Sequence, residues 1–106
     1  MGWHDKAMLT PVADGLVAEG IELDRHYVYM YCSPTRSAFL SGRLPYHVNQ
    51  VLFSNDGIVP DWGVPKEMTV LPQKLAAAGY ASHAAGKWHV GFQQPSLLPT
   101  SRGFKT

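Results

Sequence analysis

The sequence predicts an α/β fold, on three observations. Helix-start and helix-stop signals bracket three separate stretches. A segment rich in Ile, Tyr and Val lies between the first two helices, and a Gly-punctuated segment follows the third. The order helix, strand, helix, loop, helix, strand is that of an α/β chain.

The first helix is expected in LTPVADGLVAEGIEL. Thr10 is a capping residue, Pro11 suits the first helical position, and Gly20 is a stop. Val12, Leu16 and Val17 fall on one face at spacings of four and five. The segment IELDRHYVYMY then reads as a strand running into Cys32. In SPTRSAFLSGR, Ser33 can cap, Pro34 sits in the first turn and Gly42 lies near the end, so Cys32 is expected just outside a helix N-terminus. Residues 44–70, with three prolines and two glycines, read as a long loop. TVLPQKLAAAGY is the third helix, with Thr69 as cap and Gly79 as stop. The first half of YASHAAGKWHVGF reads as a strand. The tail QQPSLLPTSRGFKT carries no clear structural close.

Composition narrows the function. The chain has 106 residues, 45% hydrophobic and 11% aromatic, which suits one folded domain rather than disorder. Charged residues make up 16% and the formal net charge is +1, with no cluster of Lys and Arg that would read nucleic acid. No apolar run reaches the ~18 residues of a membrane span. The N-terminus MGWHDKAMLT lacks the charged and apolar regions of a signal peptide. The single cysteine, Cys32, has no partner for an intramolecular disulfide.

Cys32 is the residue where chemistry concentrates. A free cysteine is most often a small buried hydrophobe. Placed at a helix start, however, it meets unpaired backbone N–H groups and the positive end of the helix dipole. Arg36, one turn on, can aim its guanidinium at the same point. Together these describe a site for a tetrahedral oxyanion. A cysteine-phosphatase loop would need Arg six residues after the nucleophile, where Ala38 stands. A Cys-x-x-Cys redox motif lacks its second cysteine, and no local signature supports a papain-type Cys–His pair.

Cys32-Ser33-Pro34-Thr35-Arg36, trailed by Leu40-Ser41-Gly42-Arg43, resembles the signature of the sulfatase family, Cys-x-Pro-x-Arg followed by Leu-Thr-Gly-Arg. Thr35 and Ser41 each exchange one hydroxyl residue for the other. LPQKLAAAGYASHAAGKWHVG, with Gly86-Lys87-Trp88-His89 and Gly91, is similar to the family's second signature. TPVADGLVAEGIELDRHY looks like the helix and strand that precede the signature cysteine. LPTSRGF is similar to a segment of the arylsulfatase B-like branch, with Lys105 standing where that branch has Asp.

The resemblance implies part of an alkaline-phosphatase-like sulfatase domain, a mixed sheet flanked by helices, incomplete at both ends. Residues 1–106 would be a piece of the N-terminal catalytic domain. It implies a sulfuric ester hydrolase in which Cys32 is oxidised to formylglycine before folding. The aldehyde hydrates, one hydroxyl attacks sulfur and the ester's alcohol leaves, and loss of the other hydroxyl's proton then eliminates sulfate and restores the aldehyde. Serine could perform only the first half. By the same resemblance Arg36 fixes the formylglycine, Lys87 offers positive charge to the hydrate and a sulfate oxygen, and His89 assists elimination. If residues 87–89 are extended, Lys87 and His89 face the same side.

The resemblance further implies Ca2+, held by an Asp-Asp pair, an Asp-Asn pair and the oxygen at position 32. Of that set this chain is expected to supply position 32 alone. Gly2-Trp3-His4-Asp5 resembles the segment just after the first pair, and the family's later histidine and lysine have no counterpart here. The implied partners are a sulfated small molecule or glycan and the formylglycine-generating enzyme. The implied route is secretory or lysosomal. The isolated chain is expected not to hydrolyse sulfate esters. Two other readings stand beside this one: a phosphonate or phosphate monoester hydrolase using the same formylglycine, and a non-catalytic truncated fragment with Cys32 unmodified.

The remaining histidines, His4, His26, His47 and His83, show no metal-ligand spacing. Trp62 and Trp88 read as packing residues. Asp14, Glu19, Glu22 and Asp24 read as a solvated face around the first helix.

Overall fold

The computed structural model describes residues 1–48 and 62–106. Four helices form among the described residues: α1 (Pro11–Glu19), α2 (Cys32–Ser41), α3 (Pro45–Val48) and α4 (Leu71–Ala77). Two 3-10 turns follow at Pro95–Leu97 and Pro99–Arg102. None of the helices among the described residues is long and apolar enough to cross a membrane.

α1 starts at Pro11 and stops at Gly20, as its signals require. Thr10 does not cap it through its side chain. Its hydroxyl instead accepts from Gly2 N (2.8 Å) and donates to Asp14 Oδ1 (2.9 Å), tying the N-terminal residues to the first turn. The expected apolar face stays open: Val12 and Leu16 are 79% and 69% exposed, and α1 buries no residue. An amphipathic stripe becomes core only when another element covers it, and none among the described residues does.

α2 begins two residues earlier than a Ser33 cap would place it. Tyr31 is its N-cap and Cys32 is its first helical residue. Ser33, Ser37 and Leu40 form a buried stripe at spacings of four and three. The two serines are small, which lets α2 seat closely. Gly42 ends the helix in the left-handed region (φ 66°), where glycine carries no Cβ penalty.

The long loop expected at 44–70 contains α3 at its start. Its central part, residues 49–61, lies outside the described residues. α4 is capped at Val70, not Thr69. The Gln73 Oε1 accepts from Val70 N at 2.9 Å, the N3 side chain's half of a capping box, while Val70 has no hydroxyl to supply the other half. Its other end closes through Gly79 N to Ala76 O and Tyr80 N to Leu75 O, both 3.0 Å, the Schellman pattern.

No sheet is present among the described residues. The expected strand at 21–31 is an exposed, irregular segment without a ladder. The second expected strand contributes one parallel bridge, Ser82 with Phe104. Lys105 N donates to Ser82 O at 2.8 Å and Ala84 N to Thr106 O at 2.7 Å. β propensity alone does not make a strand, because each strand needs a partner's backbone groups. The tail, expected to lack a close, folds through its two 3-10 turns into that pairing.

The core joins α2 and α3 to the C-terminal half. Leu40, Val48, Val64, Val70 and Val90 cluster, with Met68, Trp88 and Phe104 against them. The chain at 62–64 runs tightly beside 90–91. Val64 N donates to Val90 O (3.3 Å), and a Cβ on Gly63 would stand 2.4 Å from Val90 O. Arg102 is buried at 3% exposure and gives Nη2 to the carbonyls of Met68 (2.9 Å) and Pro65 (3.1 Å). Burial pulls its pKa below the ordinary arginine value, and the nearby Glu67 charge opposes that shift.

Candidate active site

Cys32 lies at the open end of α2 and is exposed. The first turn of α2 carries no acidic side chain, so nothing neutralises the free N–H groups and the positive dipole end. The approach to this point is held by Thr35. Its hydroxyl lies 2.7 Å from Tyr31 O and 3.0 Å from Tyr29 O, sharing one hydrogen between two carbonyls. Cys32, Arg36 and Phe39 lie along one side of the helix, spaced four and three, and all line an open groove of ≈ 980 Å³.

The second block reaches the same groove. Lys87 Nζ donates to Cys32 Sγ at 3.4 Å, across 55 residues of chain. Arg36 Nη1 donates to the backbone carbonyl of Lys87, while Arg36 Nε is buried and has no hydrogen-bond partner among the described residues. One cation, Lys87, and a helix start therefore meet at the position of the sulfur, with Arg36 holding the Lys87 main chain beside them. Such a set attracts a tetrahedral anion and stabilises negative charge developing there.

His89 takes another position. Its backbone turns to φ 54°, in the left-handed region that a non-glycine residue seldom adopts. The segment is thus not extended through 89, and the same-side argument for Lys87 and His89 fails. The His89 ring is half-buried at 5.8 Å from the Trp62 ring, and it is absent from the groove lining. Of the four residues singled out in the sequence, the structure brings Cys32, Arg36 and Lys87 together and sets His89 against Trp62.

Trp88, between Lys87 and His89, anchors the block. Its Nε1 donates to Gly91 O (2.8 Å) and Leu97 O (3.1 Å), and its ring meets Phe104 edge-on at 5.9 Å. Trp62 is 3% exposed, so both tryptophans pack as expected. Glu22, expected on a solvated face, accepts from Trp3 Nε1 (3.0 Å) and lies 2.6 Å from His4 Nε2. His83 Nδ1 lies 2.8 Å from Thr106 Oγ1, and His26 and His83 both line the groove. Sequence reasoning passed over Thr35 as a holder of the 29–31 carbonyls. Its signal was its place inside the cysteine motif, one helical turn from Tyr31.

Calcium takes about six to eight oxygen ligands. Among the described residues no group of three His, Cys, Asp or Glu side chains could hold a metal ion, and no carboxylate lines the groove beside Cys32. The described residues do not fit a calcium site.

The sulfatase family profile matches residues 1–106. Mouse arylsulfatase J is 39% identical over 106 residues, covering all of this chain and 18% of that protein. N-acetylgalactosamine-6-sulfatase of Canis lupus familiaris is 36% identical, covering 98% and 22%, and human arylsulfatase A is 37% identical, covering 90% and 19%. The chain thus spans about a fifth of the length of these relatives. The crystal structure of Ps i-CgsB matches with a TM-score of 0.61 and 32% identity, over 71% of this chain and 16% of that one. These matches support an alkaline-phosphatase-like sulfatase fold. With the profile covering every residue and the cysteine and lysine blocks meeting at one groove, the chain belongs to the sulfatase family.

Proposed function

We propose that residues 1–106 form part of the N-terminal catalytic domain of a sulfuric ester hydrolase, with its nucleophile generated at Cys32. The observation that carries this reading is the Lys87 Nζ to Cys32 Sγ contact of 3.4 Å at the start of α2. A formylglycine at position 32 supplies a hydrated aldehyde as nucleophile. Lys87 places its ammonium beside that position and holds a sulfate oxygen. Arg36 fixes the Lys87 main chain and keeps the ammonium on target. His89 is assigned to elimination, which requires its ring to leave Trp62 and turn toward position 32.

The substrate class we infer is an aryl sulfate or a sulfated sugar. Arylsulfatase names among the relatives support the first, and N-acetylgalactosamine-6-sulfatase supports the second. The formylglycine-generating enzyme is the inferred maturation partner, Ca2+ the inferred metal of the complete protein, and a secretory or lysosomal route the inferred location. Because no carboxylate among the described residues lines the groove, the isolated chain is expected to be inactive toward sulfate esters.

Mass analysis of the tryptic peptide His26–Arg36 tests the reading. After coexpression with a formylglycine-generating enzyme, the peptide should be lighter than the thiol form, since oxygen replaces sulfur and two hydrogens leave. A peptide that stays entirely thiol under those conditions would rule the formylglycine route out.

A further inference from the structure

We propose that His89 is a swinging side chain on a locked backbone, with Trp62 as its rest. In one position the imidazole lies on Trp62, and in the other it reaches position 32. The pivot is the crossing of residues 62–64 with 90–91. The inference rests on the elimination role given to His89 above.

The lock is built from both sides of His89. Trp88, before it, is pinned by its indole, which donates to Gly91 O and Leu97 O. Val90, after it, is 2% exposed, packs in the valine cluster and accepts from Val64 N. At the crossing, two glycines each face the other segment. A Cβ on Gly63 would collide with Val90 O, and one on Gly91 would stand 2.8 Å from Trp62 O. Between these fixed neighbours His89 is the one non-glycine residue at positive φ among the described residues. A side chain is held there only where the surroundings over-determine the backbone.

The ring is differently placed. It is half-buried, and its plane is tilted 46° to the Trp62 ring at 5.8 Å. A tilted ring pair is a modest contact that rotation about the side-chain bonds breaks, whereas moving the backbone would undo the crossing. Trp62 is 3% exposed and therefore stays in place as the rest. At most ~7 Å of chain separates residue 89 from residue 87. The pivot thus stands beside a side chain that already touches Cys32.

A swing gives order to the two half-reactions. The hydrate's second hydroxyl must keep its proton until the ester's alcohol has left, since losing it earlier restores the aldehyde with no sulfur transferred. With the ring on Trp62 that proton is untouched. With the ring delivered, His89 takes the proton, the oxygen's electron pair forms the C=O bond, and the bond from carbon to the sulfate oxygen breaks. Trp62 then sets how often His89 is delivered, because a step that needs one position is slowed by the fraction found in the other.

NMR of the 106-residue chain, with a thiol at position 32, tests the swing separately from the catalytic reading. Three-bond couplings across the His89 Cα–Cβ bond should show two staggered rotamers populated. The Val64 amide, which bridges the crossing, should stay protected from exchange throughout. Trp62→Leu should shift the population away from the Trp62-facing rotamer, while Trp62→Phe, which keeps a ring, should retain it. In a complete, formylglycine-bearing enzyme Trp62→Leu should speed sulfate release in a single turnover by roughly threefold or more. A packing role for Trp62 would instead slow it. A single His89 rotamer, populations indifferent to Trp62→Leu, an unprotected Val64 amide or slower release each overturns the proposal. A peptide His26–Arg36 that stays thiol strikes the formylglycine reading instead, and the coupling measurement decides the swing without it.

Discussion

At the scale of single residues, the site is a meeting of three side chains at one helix start, and each can be changed separately. Lys87→Met keeps length and removes charge. In a mature, complete enzyme carrying this segment it should lower kcat by roughly 10²–10³-fold, as loss of one preorganised charge partner does. Steady-state kinetics with an aryl sulfate checks this, and a KM effect alone would contradict the assigned role. Arg36→Lys keeps charge but loses the fork that reaches the Lys87 carbonyl. It should reduce turnover while leaving the thermal midpoint within a few degrees. Cys32, Arg36 and Lys87 were legible in the sequence because motif spacing encodes them. The displacement of His89 was not. Its φ of 54° accompanies a ring contact with Trp62, a residue 27 positions earlier with no periodic relation to it. Thr35 was equally hidden, since its work is done on carbonyls before the helix.

At the scale of elements, α2 is the most demanding, because Cys32 is useful only if the helix begins and ends in register. Gly42→Val forces a β-branched side chain into φ 66° and should destabilise the chain by about 1–2 kcal/mol, visible as a lowered urea midpoint at constant m-value. Arg102→Met leaves the Pro65 and Met68 carbonyls without their buried donor and should cost about 2–3 kcal/mol by the same measurement. Helices were legible where Pro and Gly punctuate them. The cap of α2 shifted by two residues, from Ser33 to Tyr31, and that of α4 by one, from Thr69 to Val70, whose N–H the Gln73 side chain reaches. Strands were misjudged for a different reason. The Tyr- and Val-rich composition of 26–31 is genuine, but a ladder is a property of two segments, and composition describes only one.

At the scale of the whole molecule, apolar surface is unevenly distributed. The C-terminal half, with α2 and α3, encloses the valine-rich core. α1 and the 21–31 segment leave Leu16, Ile21, Tyr27 and Val28 between 67% and 89% exposed. Stability therefore belongs to one side, and hydrogen exchange should show α4 and residues 88–91 well protected while α1 opens readily. The purified chain should give no aryl sulfate turnover above background with calcium present, and clear turnover would refute that. The Arg36 contact also has a consequence for how such a site changes over generations. The guanidinium grips the main chain of residue 87, so the clasp between the two motifs survives any side chain placed there. Position 87 can be replaced to suit a different anion while the groove keeps its shape. Architecture and chemistry at this corner rest on different atoms of residue 87, its carbonyl and its side chain.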